Sequence, residues 1–149
     1  MKLSTRGRYG TRAMLDLALH NDEQAVLLRD IAKRQDISER YLENIMRILV
    51  SNGLITSAQG RNGGFSLARE PCDVKLSQII QAVEGSISPV GCIDNPKLCK
   101  RMPICVTYDI WGKLKKAMFD VLDSITLEDM VKMQKDKIKG KESKAMYHI

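Results

Sequence analysis

The chain has 149 residues, 44% hydrophobic but only 5% aromatic, so its core must be mainly aliphatic, helped by eight methionines. A formal net charge of +6 suits a polyanion such as nucleic acid or an anionic membrane surface, although a solvated basic surface has the same composition. No stretch is apolar enough to span a bilayer and the first residues lack a signal-peptide apolar block, so the expected location is cytoplasmic, with no membrane partner.

Residues 5–20 are predicted as a first helix, with Tyr9, Ala13, Leu17 and His20 at helical spacing beside Met14 and Ala18. After a polar turn at 21–24, residues 28–35 fit a short second helix with Ile31 and Ala32 inward, broken at Asp36. Ser38 is predicted to N-cap a third helix over 38–52, whose apolar stripe is Tyr41, Leu42, Ile45, Met46 and Leu49. Tyr41 is assigned to the core on that spacing. Gly53 is a helix stop.

The period then changes. Residues 54–58 and 65–68 read as two strands joined by Gln59-Gly60-Arg61-Asn62-Gly63-Gly64, a hairpin that ends at Pro71. Residues 76–83 form a fourth helix, stopped at Glu84-Gly85. Residues 86–104 are expected to be an irregular loop. From about Cys105 a long helix begins, with Ile110, Leu114, Met118, Val121 and Ile125 in a stripe beside Trp111 and Leu122. Thr126 with Asp129 is a capping-box pattern for a last helix, and the Lys-rich tail after Lys137 is expected to be loose. The fold class is therefore mainly α with a small β-hairpin wing: a winged helix-turn-helix with a long C-terminal helix.

Helix, turn, helix and glycine-rich hairpin in this order place residues 38–52 as the helix that enters a major groove, where base edges are distinguishable. The candidate readers at its start are Ser38, Arg40, Glu43 and Asn44. Arg40 can donate to guanine or phosphate. Glu43, when ionised, can only accept, which matches cytosine and repels phosphate. Competing roles are structural: Ser38 as a cap, and Glu43 with Arg47 as an i, i+4 pair. In the wing, Gln59, Arg61 and Asn62 are candidate DNA contacts among Gly60, Gly63 and Gly64. The same residues also fit an ordinary flexible hairpin. Lys2, Ser4, Arg6 and Arg8 can add phosphate contacts.

Cys92, Cys99 and Cys105 are clustered, whereas Cys72 stands alone beside Pro71. In a reducing compartment such clusters point to metal or redox chemistry rather than structural disulfides. Three thiolates on one loop can wrap a soft metal or an iron–sulfur cluster, and the spacing is not that of a zinc finger. Metal-free thiol sensing is the alternative, since Lys97, Lys100 and Arg101 flank Cys99. An enzyme is not expected: there is no nucleophile–base–orienter set, phosphate loop or paired catalytic carboxylates, and only His20 and His148 as histidines.

Several segments together resemble IscR-type iron–sulfur regulators of the Rrf-two superfamily: Met-Lys-Leu-Ser-Thr-Arg-Gly-Arg-Tyr at the start, Ile37 through Glu43, the wing through Gly63-Gly64-Phe65, and Ile80 through Gly85. The superfamily also holds the nitric-oxide sensor NsrR and the cysteine-metabolism regulator CymR. The likeness runs to about residue 135. It implies a winged-helix DNA-binding domain over 1–85, a cluster loop over 86–104, a dimerisation helix and final helix over 105–139, and a flexible tail over 140–149. It further implies a homodimer on a near-palindromic double-stranded operator, and a two-iron two-sulfur cluster on Cys92, Cys99 and Cys105. The glutamate matching Glu43 helps the two ligation states of that type prefer different DNA sites.

The chain departs from the pattern in two places. The first cysteine spacing is one residue longer, and the usual fourth ligand, a histidine three residues after the last cysteine, is Tyr108 here. In other branches the partner's first helix supplies that ligand, but the matching position is Arg8. Asp94, Asp109, His20 and solvent remain open as fourth ligand. The implied function is a transcription regulator, a repressor of cluster-assembly genes when loaded. Related regulators of nitric oxide, iron or thiol oxidation are the alternative, followed by a metal carrier.

Overall fold

A computed structural model describes residues 2–21 and 24–147. The chain forms α1 (Thr5–Leu19), α2 (Leu28–Gln35), α3 (Glu39–Ser51), β1 (Ile55–Ala58), β2 (Gly64–Leu67), α4 (Leu76–Glu84), α5 (Gly91–Asp94), α6 (Val106–Asp123) and α7 (Leu127–Met146). It is mainly helical, with one antiparallel hairpin registered Ile55 to Leu67 and Ala58 to Gly64. Among the described residues no helix is long and apolar enough to cross a membrane.

The core lies in the N-terminal half because the apolar faces of α1 to α4 converge there. Ala13, Met14 and Leu17 meet Ile31, Ala32, Leu42, Ile45, Met46, Leu49, Ile79 and Val83, and Leu127 of α7 completes the cluster. Full burial of each large aliphatic side chain contributes roughly 1.5–3 kcal/mol. α1 and α4 approach closely at Gly10, where a Cβ would lie 2.9 Å from a Val83 methyl. The two helices are also tied at their ends. The Ser4 hydroxyl caps α1 by accepting from the Gly7 N–H, while the Ser4 N–H donates to the Glu84 carboxylate at 3.1 Å.

One polar network sits inside this core. Asp16 of α1 is 1% exposed and accepts from Arg34 of α2 at 2.7 Å and from the Gln35 amide at 2.7 Å. The Arg34 Nε reaches both carboxylate oxygens as well, at 3.1 and 3.2 Å. Hydrogen bonding to Asp16 raises the guanidinium pKa above its ordinary value. The fork ties α2, the first helix of the helix-turn-helix, to α1.

The tertiary structure corrects five sequence expectations. Tyr41 is exposed, at the margin of the stripe formed by Leu42, Ile45, Met46 and Leu49, and its ring meets Tyr9 edge-on at 5.8 Å. His20 is likewise outside the core: it ends α1, with its ring Nδ1 2.8 Å from the Asp16 carbonyl. The strands are Ile55–Ala58 and Gly64–Leu67, each displaced by one residue from the expected start. The 86–104 segment is not irregular throughout, because it holds α5 and two short 3-10 turns. Finally, α7 continues to Met146, where the sequence suggests a loose tail after Lys137. Its reciprocal Thr126–Asp129 capping box nucleates the helix, and its Lys, Glu, Gln and Met residues have good helix propensity.

Candidate nucleic-acid interface and cysteine loop

The α3 helix and the wing form the walls of one groove of about 620 Å³, lined by Glu43, Arg47, Ser57, Gln59 and Gly60 among others. Ser38 starts α3 by capping it, its hydroxyl accepting from the Tyr41 N–H at 3.3 Å. Arg40, Glu43 and Asn44 are exposed on the first turns. Glu43 accepts from Arg47 at 2.6 Å, with both side chains largely in solvent, so the pair is easily opened. Arg47 shares the groove with Glu43, although the sequence marks it only as the i, i+4 partner. That spacing is the available signal, since it puts both groups on one helix face.

The wing is held in place by backbone. Val26 and Phe65 exchange two hydrogen bonds of 2.8 Å, which tie the segment before α2 to the return strand. Gly64 permits this contact: its φ is +134°, and a Cβ there would lie 2.5 Å from the Val26 carbonyl oxygen. Gln59, Arg61 and Asn62 stand exposed on the connecting loop. The structure thus brings Arg40, Glu43, Asn44, Gln59, Arg61 and Asn62 to solvent, with Ser38 committed to its cap. Such a surface can donate to phosphates and base edges from a helix and a hairpin together.

The cysteine loop follows α4 directly. Cys92 lies in α5, Cys99 follows a 3-10 turn, and Cys105 is the N-cap of α6; all three are free and half-buried. The Cys105 sulfur lies 3.1 Å from the Thr107 hydroxyl. That hydrogen bond, with the Tyr108 backbone N–H, holds the thiol below its usual pKa. The loop is lashed to its surroundings at Asp94, which accepts from Lys115 of α6 at 2.7 Å, from Ser88 at 2.5 Å and from Ser86. The Lys115 ammonium, then the two hydroxyls, hold this carboxyl well below the carboxylate range.

Three thiols on one loop are the right donors for a soft metal or an iron–sulfur cluster. Their placement does not match: among the described residues no group of three His, Cys, Asp or Glu side chains is positioned to hold a metal ion. The fourth-ligand candidates are dispersed as well. Asp94 is engaged by Lys115, His20 by the Asp16 carbonyl, and Asp109 is exposed on α6. Tyr108 is half-buried in the first turn of α6, and Arg8 donates to the Thr5 hydroxyl at 3.1 Å.

The remaining surface of note is α6. Among the described residues of this single chain none of its side chains is buried, and Ile110 and Val121 on its apolar stripe are 49% and 60% exposed.

Residues 3–133 match the family Rrf2, described as an iron-dependent transcriptional regulator. The chain is 45% identical over 132 residues to the protein rrf2 of Nitratidesulfovibrio vulgaris, covering 89% of this chain and 88% of the relative. Among solved structures it is similar to T. potens IscR, with a TM-score of 0.73, 44% identity, and 90% and 88% of the two chains covered. It is also similar to CymR, the global cysteine regulator of B. subtilis, with a TM-score of 0.73, 37% identity, and 89% and 98% covered. The helical body, the hairpin wing and these likenesses agree on a DNA-binding regulator rather than an enzyme. The chain belongs to the Rrf2 family of transcriptional regulators.

Proposed function

We propose that the protein is a cytoplasmic homodimeric regulator that reads a near-palindromic double-stranded operator with α3 and the wing, and that an iron–sulfur cluster, two-iron two-sulfur by likeness to the IscR type, sets its choice of site. The observation that carries this reading is the position of α4, whose last residue, Glu84, accepts from Ser4 at the start of α1 and which is followed, after Gly85, by the cysteine loop. On the DNA side, Arg40, Asn44, Gln59, Arg61 and Asn62 supply donors, and Glu43 supplies repulsion unless a base donor or Arg47 meets it. The uncovered apolar stripe of α6 supports pairing with a second copy, because an aliphatic face left in water forfeits its burial.

Cys92, Cys99 and Cys105 would hold the cluster, which as a thiolate-ligated group supplies sensitivity to iron supply and oxidation. Gathering them requires the loop to move from its arrangement in this structure, with the Asp94–Lys115 pair as its restraint. The contacts that would carry a change in loop shape are Asp94 to α6, and, from the preceding helix, Glu84 to Ser4 at the start of α1. Cluster-loaded protein acts, on this reading, as a repressor of cluster-assembly genes.

The absence, among the described residues, of three ligands placed for a metal favours one second reading, a related regulator whose input is oxidation of the thiols themselves. An anaerobic visible absorption and circular dichroism spectrum with iron and sulfide assays, on the wild type and Cys92→Ala, separates the two. Visible bands with equimolar iron and sulfide, lost in the variant, support the cluster. A colourless protein after reconstitution sinks it and leaves thiol sensing.

A further inference from the structure

We propose that the second half of α7 is an additional DNA-binding element, a basic arm that grips the phosphate backbone flanking the stretch covered by α3 and the wing. The inference rests on the DNA-binding reading above and extends it to residues beyond the family match, which ends at residue 133. Residues 132–147 contain six lysines against Asp136 and Glu142, and so supply four of the chain's net six positive charges.

Three observations point to a polyanion rather than a merely solvated helix. First, α7 packs only through its first half. Leu127 is buried and Met130, Val131 and Gln134 are partly covered, whereas every residue from 135 to 147 is exposed, Ile138 at 46% included. Ten helical residues add about 15 Å of reach. Second, of the lysines only Lys132 has an ion-pair partner among the described residues, Glu128 at 3.1 Å; Lys135, Lys137, Lys139, Lys141 and Lys144 have none. Third, these charges are stacked against their own interest. Lys135 with Lys139 and Lys137 with Lys141 are i, i+4 pairs, and Lys144 is one turn beyond Lys141. Like charges at that spacing destabilise a helix by a few tenths of a kcal/mol each, a repulsion that bound phosphates would relieve.

The location fits DNA better than another polyanion. The packed half of α7 rests on α1, whose N-terminal turn carries Arg6 and Arg8, and on the 3-10 turn at Pro71–Asp73 that directly follows the wing. The arm is thus rooted on the helix that carries Arg6 and Arg8 and on the turn that follows the wing. Lysines on a flexible stem act as point charges, so their grip is independent of sequence and shows in the salt dependence of binding.

The test uses the full chain and mixed-sequence duplexes, read by fluorescence anisotropy across a salt series. One duplex is about 20 base pairs long, near the span of two half-sites one turn apart, and the other about twice that. A variant with Lys135, Lys137, Lys139, Lys141 and Lys144→Gln, shown by circular dichroism to keep its helix, is compared with wild type and Arg61→Ala. The expected result is a salt slope on the longer duplex shallower by about 2 to 4 for the dimer, since each phosphate left unneutralised lowers the slope by roughly 0.9. Trimming the wild type's duplex should reproduce most of that change. Equal slopes for the glutamine variant and wild type on the long duplex, with Arg61→Ala weakened, overturn the arm and leave the DNA-binding reading intact. If wild type itself fails to bind either duplex, both ideas fall. Lysine-dependent binding to vesicles containing anionic phospholipid, with the DNA slope unchanged, assigns the arm to membranes and also overturns the proposal.

Discussion

Replacing Asp16 and Arg34 singly and together by alanine tests how much the α1–α2 fork contributes to the stability of the fold. Asp16 is 1% exposed, but the Arg34 side chain keeps 35% exposure, so only one end of the pair is desolvated. At a charge separation of about 4 Å and an effective dielectric near 20, the Coulomb attraction is about 4 kcal/mol. Solvent at the guanidinium removes about half, which leaves a coupling of about 2 kcal/mol. The single changes should be unequal. Arg34→Ala leaves the buried carboxylate with the Gln35 amide as its side-chain hydrogen-bond donor and the His20 ring 3.6 Å away, and should cost about 3 kcal/mol, while Asp16→Ala lets Arg34 rehydrate and should cost about 2. Urea denaturation of the four proteins gives the cycle. The control is the exposed Lys132–Glu128 pair, expected near or below about 0.5 kcal/mol. A coupling at Asp16–Arg34 no larger than this control, or a smaller loss for Arg34→Ala than for Asp16→Ala, refutes the reasoning.

Gly64→Ala should cost about 2 kcal/mol or more and loosen the wing, because the new Cβ meets the Val26 carbonyl at a φ that L residues avoid; faster amide exchange at Val26 and Phe65 would report it. Asp123 is held below the carboxylate range by the Lys75 ammonium and then the Ser77 hydroxyl, so its stabilisation is complete above the unfolded pKa of about 4 and disappears as pH falls through the folded value. Asp123→Asn should therefore lower stability at neutral pH and flatten the acid limb of the stability profile below about pH 4; an unchanged limb excludes this account. Glu43→Ala should tighten binding to mixed-sequence DNA by roughly tenfold or less, since it removes one repulsion of about 1 kcal/mol, and should blur discrimination between sites. Anisotropy against two unrelated duplexes would show it, and unchanged affinity for both would remove Glu43 from the interface.

Local signals went a long way here because they depend on near neighbours. Helical spacing of Leu42, Ile45, Met46 and Leu49, the Ser38 cap and the Thr126–Asp129 box placed α3 and the start of α7, and the end of helical spacing with the glycine-rich connection at 59–64 placed the wing. The donor-rich residues of α3 and the wing were legible as well, since capping, turn chemistry and charge are properties of a few consecutive residues. What the sequence alone left open needed distance in space. Whether Asp16 faces water or a buried arginine depends on how α2 lies on α1. Tyr41 has helical spacing for the core, yet it stays exposed at the margin, its ring edge-on to Tyr9 of α1. Three cysteines within one segment look gathered, but among the described residues no three ligating side chains are placed to hold a metal ion. The lysines after residue 134 read as a tail because no apolar face marks them, while the cooperative helix begun at Thr126 carries them outward in an ordered row. Periodicity and composition determined the elements and their chemistry; packing between elements decided which charges are buried, paired or left in solvent.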